Sequence, residues 1–139
     1  MADAIVRGEI SNRNDTEFRA EVTCLRSGPS GFIRGEFDAL INGRDFDYSF
    51  SSNRPTSIVT RRSGRTRFVQ VVFRNARVRN HTSNFTTTGA TITLTARRSS
   101  TGRRTATLTI RRPGRVTLRA SGFLEDGRVA VFRRVSCRR

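Results

Sequence analysis

The amino-acid sequence predicts an all-β fold: a single-domain antiparallel β-sandwich over residues 1–139, built from about ten short strands with no substantial helix. Three observations carry this prediction. Apolar and polar residues alternate with a period of two in segment after segment. Gly, Asn and Pro punctuate those segments at short intervals, and no stretch repeats its apolar residues at helical spacing. A chain of 139 residues is also long enough to bury a core of its own without a metal or a set of disulfides.

Taken in order, "AIVRGEI" and "EFRAEVTCL" read as strands, the second turning Phe18, Ala20, Val22 and Cys24 inward. "GEFDALINGRDFDYSF" is the clearest hairpin, because Asn42-Gly43 suits the positive φ angles of a two-residue type I′ turn. That turn sets the register: Ile41 opposite Arg44, Ala39 opposite Phe46, Phe37 opposite Tyr48 and Gly35 opposite Phe50. Glu36, Asp38, Asp45 and Asp47 then share the other face, with Asp38 directly across from Asp47, an unfavourable like-charge pair.

"SIVTRR" and "RTRFVQVVFR" form a second hairpin around "RSGR", and "FVQVVF", apolar on both faces, is expected to be central. "NHTSNFTTTG" is the longest polar connection and reads as a loop. Beyond it, "TITLTA", "TATLTI" and "RVTLRA" place Ile92, Leu94, Ala96, Ala106, Leu108, Ile110, Val116, Leu118 and Ala120 on one side. Thr91, Thr93, Thr95, Thr105, Thr107, Thr109, Arg115, Thr117 and Arg119 fall on the other. Turns at "SSTG", "RPGR" and "EDG" make residues 90–136 a four-strand antiparallel meander. The arrangement is immunoglobulin-like or jelly-roll-like.

Charge is segregated along the chain. All 27 basic residues are arginine, and the net charge is +16. Residues 1–50 hold nine acids against six arginines, residues 51–139 two acids against 21 arginines, and Ser51 to Leu124 contains no acid at all. Those arginines have to be solvated, pair with the acidic N-terminal third, or meet an external anion. They concentrate in pairs beside turns. Arg97, Arg98, Arg103 and Arg104 form one basic rim; Arg111, Arg112 and Arg115 form another; Arg119 stands on a strand face; and Arg61, Arg62 and Arg65 sit at "RRSGR". Guanidinium forks suit both phosphate and carboxylate.

Chemistry has little to work with. His81 is the only histidine, lysine and tryptophan are absent, and no glycine-rich nucleotide motif or zinc spacing occurs, so no enzyme, cofactor, metal site or small-molecule substrate is expected. The acids Glu36, Asp38, Asp45 and Asp47 match no specific calcium loop and are read as partners for arginine, within the molecule or between copies. Cys24 and Cys137 both fall in phase with core positions. Two separate buried thiols are expected, with a bridge as the alternative. "MADAIVRGEI" lacks the features of a secretory signal and no apolar run approaches a membrane span, so a virion or cytoplasmic location without a membrane partner is expected.

The expected function is that of a non-enzymatic structural or interaction protein within a larger assembly of the virion coat, cement or decoration type. Its partners are then other copies of itself or an acidic protein lattice, met through complementary acidic and arginine-rich surfaces. The alternative is binding to a DNA or RNA backbone without sequence specificity. Against that alternative, the aromatic residues are expected inside the core, which leaves no stacking platform.

Overall fold

The computed structural model describes residues 6–11, 16–129 and 136–138. They form β1 (Val6–Ser11), β2 (Glu17–Leu25), β3 (Gly28–Ile41), β4 (Arg44–Ser52), β5 (Pro55–Ser63), β6 (Thr66–Asn80), β7 (Phe85–Arg98), β8 (Arg104–Arg111), β9 (Leu118–Val129) and β10 (Ser136–Arg138). No helix occurs among the described residues, and every strand pairing is antiparallel. The all-β antiparallel class read from the alternation is therefore the class observed. The sheet curls into a half-barrel, an arrangement consistent with a sandwich or jelly roll.

Pairing runs in the order β1-β9-β8-β7-β6-β4-β3-β2, and β5 and β10 branch from β6. The curl brings β1 alongside β2, the two ends of that path. β6 is the strand at which the sheet forks. Its first half, Thr66 to Phe73, pairs with β5, whereas Arg77 to Asn80 pair with β4; β7 follows it along both halves. The change of partner coincides with irregular register between Phe73 and Val78, where Asn75 takes a φ of 52°. An extra residue in one strand of a pair bends it and raises its twist. The bend is anchored from the side: Ser52 Oγ donates to the Arg74 carbonyl at 2.7 Å, and Arg74 N donates to the Arg54 carbonyl at 3.0 Å.

One cluster of buried side chains draws on β2 through β10, with Ile33, Phe37, Phe73, Ile92, Leu94, Leu108 and Ile110 among the most deeply enclosed. The predicted alternation supplies it. Ile92, Leu94 and Ala96 of β7 and Ala106, Leu108 and Ile110 of β8 are buried, while the threonines between them are half-exposed. The Asn42-Gly43 hairpin has the register derived from its turn, including Asp38 opposite Asp47, and Asn42 and Gly43 have φ of 51° and 79°.

Several local expectations are corrected. "NHTSNFTTTG" is a four-residue turn followed by the start of β7. Asn80 Oδ1 accepts from the amides of Thr82 and Ser83, and the turn is tied to β4 by His81 N to the Asp47 carbonyl at 2.7 Å. "EDG" does not end a strand: β9 runs on through it to pair with β1, and Asp126-Gly127 falls where the register slips between Arg7 and Glu9. The Asp-Gly signal is thus satisfied by a bulge instead of a turn. The fourth strand of the expected meander falls largely on residues 130–135, which lie outside the described residues, as does the strand start at 4–5; the short β10 that follows pairs with β5. Val116 and Arg115 belong to the loop before β9, and Val116 is 63% exposed.

The cysteines form a disulfide, with Cα atoms 6.0 Å apart. Two separate buried thiols are therefore not found. Cys137 is buried, but Cys24, near the end of β2, is exposed. The bridge joins β2, at the end of the β4-β3-β2 branch, to β10, at the end of the β5-β10 branch. It closes the fork that opens at β6.

Candidate polyanion interface

Cross-strand register assembles the arginines more tightly than their spacing suggests. Arg62 of β5 lies opposite Arg67 of β6, Arg67 opposite Arg98 of β7, and Arg98 opposite Arg104 of β8. Four guanidinium-bearing residues therefore stand in one row on adjacent strands. These positions continue the core-facing phase of Thr60, Val69, Ala96 and Ala106, but lie past the end of the core at the tips of two hairpins. Like charges directly opposite each other destabilise a sheet.

The two tips enclose a cleft of about 260 Å³ lined by Arg62, Arg65, Arg67, Arg98, Ser99, Ser100 and Gly102. Gly64, with a φ of 59°, makes the tight turn that brings Arg65 round to it. On the other tip, Ser99 Oγ accepts from Arg103 N at 3.2 Å and meets Thr101 Oγ1 at 2.9 Å, holding the β7–β8 turn closed. Arg67 is missing from the residues singled out in the sequence. The signal was present, since a two-residue turn at Gly64-Arg65 puts Arg62 across from Arg67.

The remaining arginines of the predicted rims separate into different roles. Arg61, Arg97 and Arg103 belong to the solvent face beside the cleft, and Arg119 stands on the same face across from Thr109. Arg111 is exposed at the other end of β8. Arg112 is buried within the fold instead of standing on an open rim: it is 8% exposed, donates from Nε and from a terminal nitrogen to the Val116 carbonyl, and lies 5.0 Å from the Tyr48 ring centroid. Arg115 lies 4.5 Å from the Phe85 ring centroid.

Not every aromatic residue lies in the core, contrary to expectation. Phe123 and Phe85 are 53% and 48% exposed, and Phe68 is half-buried. Arg97 lies 4.7 Å from the Phe68 centroid and Arg103 lies 5.4 Å from that of Phe123. Guanidinium over a ring face is an attractive arrangement worth about 0.5–1 kcal/mol at exposed sites.

No protein-family model, curated protein or solved structure matches the chain. What its surface can bind therefore rests on its own side-chain chemistry.

The acids of the β3–β4 hairpin, Glu36, Asp38, Asp45 and Asp47, are exposed. Their hairpin extends from the Asn80 end of β6, where Tyr48 pairs with Asn80, whereas the arginine row crosses β6 at Arg67. The two surfaces thus occupy opposite ends of one long strand, roughly 40 Å apart along it at the usual rise per residue. Among the described residues no three His, Cys, Asp or Glu side chains converge as a metal site. Arg19 and Glu21 pair at 3.2 Å within β2. A larger hollow of about 530 Å³ lies over β2, β3, β4 and β6, where Glu17 and Glu36 alternate with Arg19, Arg34, Arg77 and Arg79. Its charges are mixed, in contrast to the cleft.

Proposed function

We propose that the chain is a non-enzymatic structural protein that builds a larger assembly, of the coat, cement or decoration kind, by seating the carboxylates of one copy's β3–β4 hairpin in the arginine cleft of the next. The observation that carries this reading is the separation of the two surfaces to opposite ends of β6, too far apart to meet within one copy. A contact between two different surfaces of the same chain repeats from copy to copy and generates rings, shells or filaments. Complementary charge orients the encounter and speeds it. An acidic lattice made by another protein offers the cleft the same chemistry. The Cys24–Cys137 bridge suits an oxidising setting, of which a virion surface is one.

Sedimentation velocity at low and moderate salt tests the reading. The wild-type chain forms oligomers at low salt that dissolve as salt rises. The variants Arg62→Gln with Arg98→Gln, and Asp45→Asn with Asp47→Asn, each lose association by roughly tenfold or more. Mixed together they stop at pairs, because each supplies the end the other lacks. The cleft's guanidiniums and flanking serine hydroxyls also suit a nucleic-acid backbone, the second reading. A chain that stays monomeric in all salts yet retards DNA or RNA replaces the first reading with the second, whereas weak, salt-insensitive retardation removes the second.

A further inference from the structure

We infer that the solvent face of β6 to β9 is a stacking platform for single-stranded nucleic acid, a binding function that rests on residues other than those of the end-to-end contact above. The platform is one cross-strand row. Arg61 lies opposite Phe68, Phe68 opposite Arg97, Arg97 opposite Thr105, and Thr105 opposite Phe123. Arg103 reaches the last ring from the neighbouring turn. Phe68 and Phe123 are three strands apart, a span of about 14 Å at the usual interstrand spacing.

The ligand class follows from what the row combines. A ring on the water-facing side of a strand forgoes the stabilisation that burial in the core gives it. Two such rings in one row, each with a guanidinium against it, form a surface that is aromatic and cationic at the same points. From Ser51 to Leu124 the sequence contains no carboxylate, and the acids nearest in register, Glu9 opposite Glu125, come two positions beyond Phe123 on the β1 side of the row. A polyphosphate or sulfated chain uses the guanidiniums and leaves the rings without a partner. An apolar protein segment uses the rings and strands the charges. A duplex keeps its base faces stacked within itself. Single-stranded nucleic acid alone among these brings free base faces and phosphates together, and bases stack on aromatic rings and on guanidinium planes alike. Thr105, between the two ring sites, adds a hydroxyl suited to phosphate. Arg97 and Arg98 are adjacent residues on opposite faces of β7, so a strand leaving the platform over the sheet end meets the arginine cleft next.

Fluorescence anisotropy with a labelled oligothymidylate of about twenty nucleotides tests the inference, against an abasic oligomer and a duplex of the same length. The wild-type chain binds the oligothymidylate roughly tenfold or more tighter than the abasic backbone, and tighter than the duplex. Phe68→Leu with Phe123→Leu weakens oligothymidylate binding by about ten- to a hundredfold and leaves abasic binding unchanged, while Phe85→Leu, at the other end of β6, alters neither. Equal wild-type affinity for the three probes overturns the inference without recourse to any variant. So does a folded double variant, checked by its thermal unfolding, that retains wild-type oligothymidylate binding.

Discussion

Cys24→Ala lowers the unfolding free energy by about 4–5 kcal/mol, because it opens a bridge between residues 113 apart in sequence and frees the unfolded chain from a loop that holds most of its length. For a domain of this size the thermal midpoint falls by about 15 °C. The substitution isolates the bond. Cys24 is exposed, so alanine there creates no cavity, and Cys137 remains as a small buried thiol paired through its backbone with Ile58. Calorimetry of the wild type with and without reductant gives the same comparison with no mutation. Coincident transitions for oxidised and reduced protein would contradict the assigned role of the bridge.

The second large effect falls on β6. Phe73→Ala costs about 3–5 kcal/mol, the range for removing an enclosed aromatic ring. Phe73 is fully buried, pairs with Ile92 on one side and Pro55 on the other, and is the last regular position before the bend at which β6 changes partner. Loss of the ring removes packing where both branches of the sheet diverge. Phe123→Ala, by contrast, costs about 0.5 kcal/mol or less in stability. Denaturant midpoints measure the pair of variants side by side. Comparable midpoints would mean that Phe73 is not a core anchor.

The sequence made local structure legible and left distant pairing hidden. Asn42-Gly43 admits one short-loop geometry, so every partner from Ile33 to Ile41 follows from it, and the threonine alternation of β7 and β8 separates core from solvent residue by residue. The fork was not legible. Nothing in the local pattern of β6 says that one end bonds β5 and the other β4, because those choices depend on how the whole sheet curls. Asp126-Gly127 misled for a related reason: β1 was available as a partner, and the pair became a bulge in a continuing strand.

At the candidate site, composition identified an arginine-rich surface, but register decided its form. The repeated pairs of arginines became a row because four strands happen to be aligned at Arg62, Arg67, Arg98 and Arg104. Arg112 dropped out because the Pro113-Gly114 loop folds back and presents the Val116 carbonyl to it, and Tyr48 receives its plane. The exposed phenylalanines were missed because phenylalanine is normally a core residue. Phe68 is betrayed only by its phase, one position out of step with buried Val69.

The pairing of β5 with β10 has a consequence for how the chain is made. A ribosome delivers β5 and its hairpin partner β6 early, yet the strand that covers the outer edge of β5 comes from residues 136–138. Throughout synthesis of β7, β8 and β9 that edge stays uncovered, with its amides and carbonyls open to another chain. Arg61 and Arg62, just beyond the segment that β10 covers, disfavour a parallel in-register approach by a second nascent copy, which would set cation against cation. The arginine-rich hairpin that lines the cleft of the finished molecule thus also bears on how unfinished molecules meet.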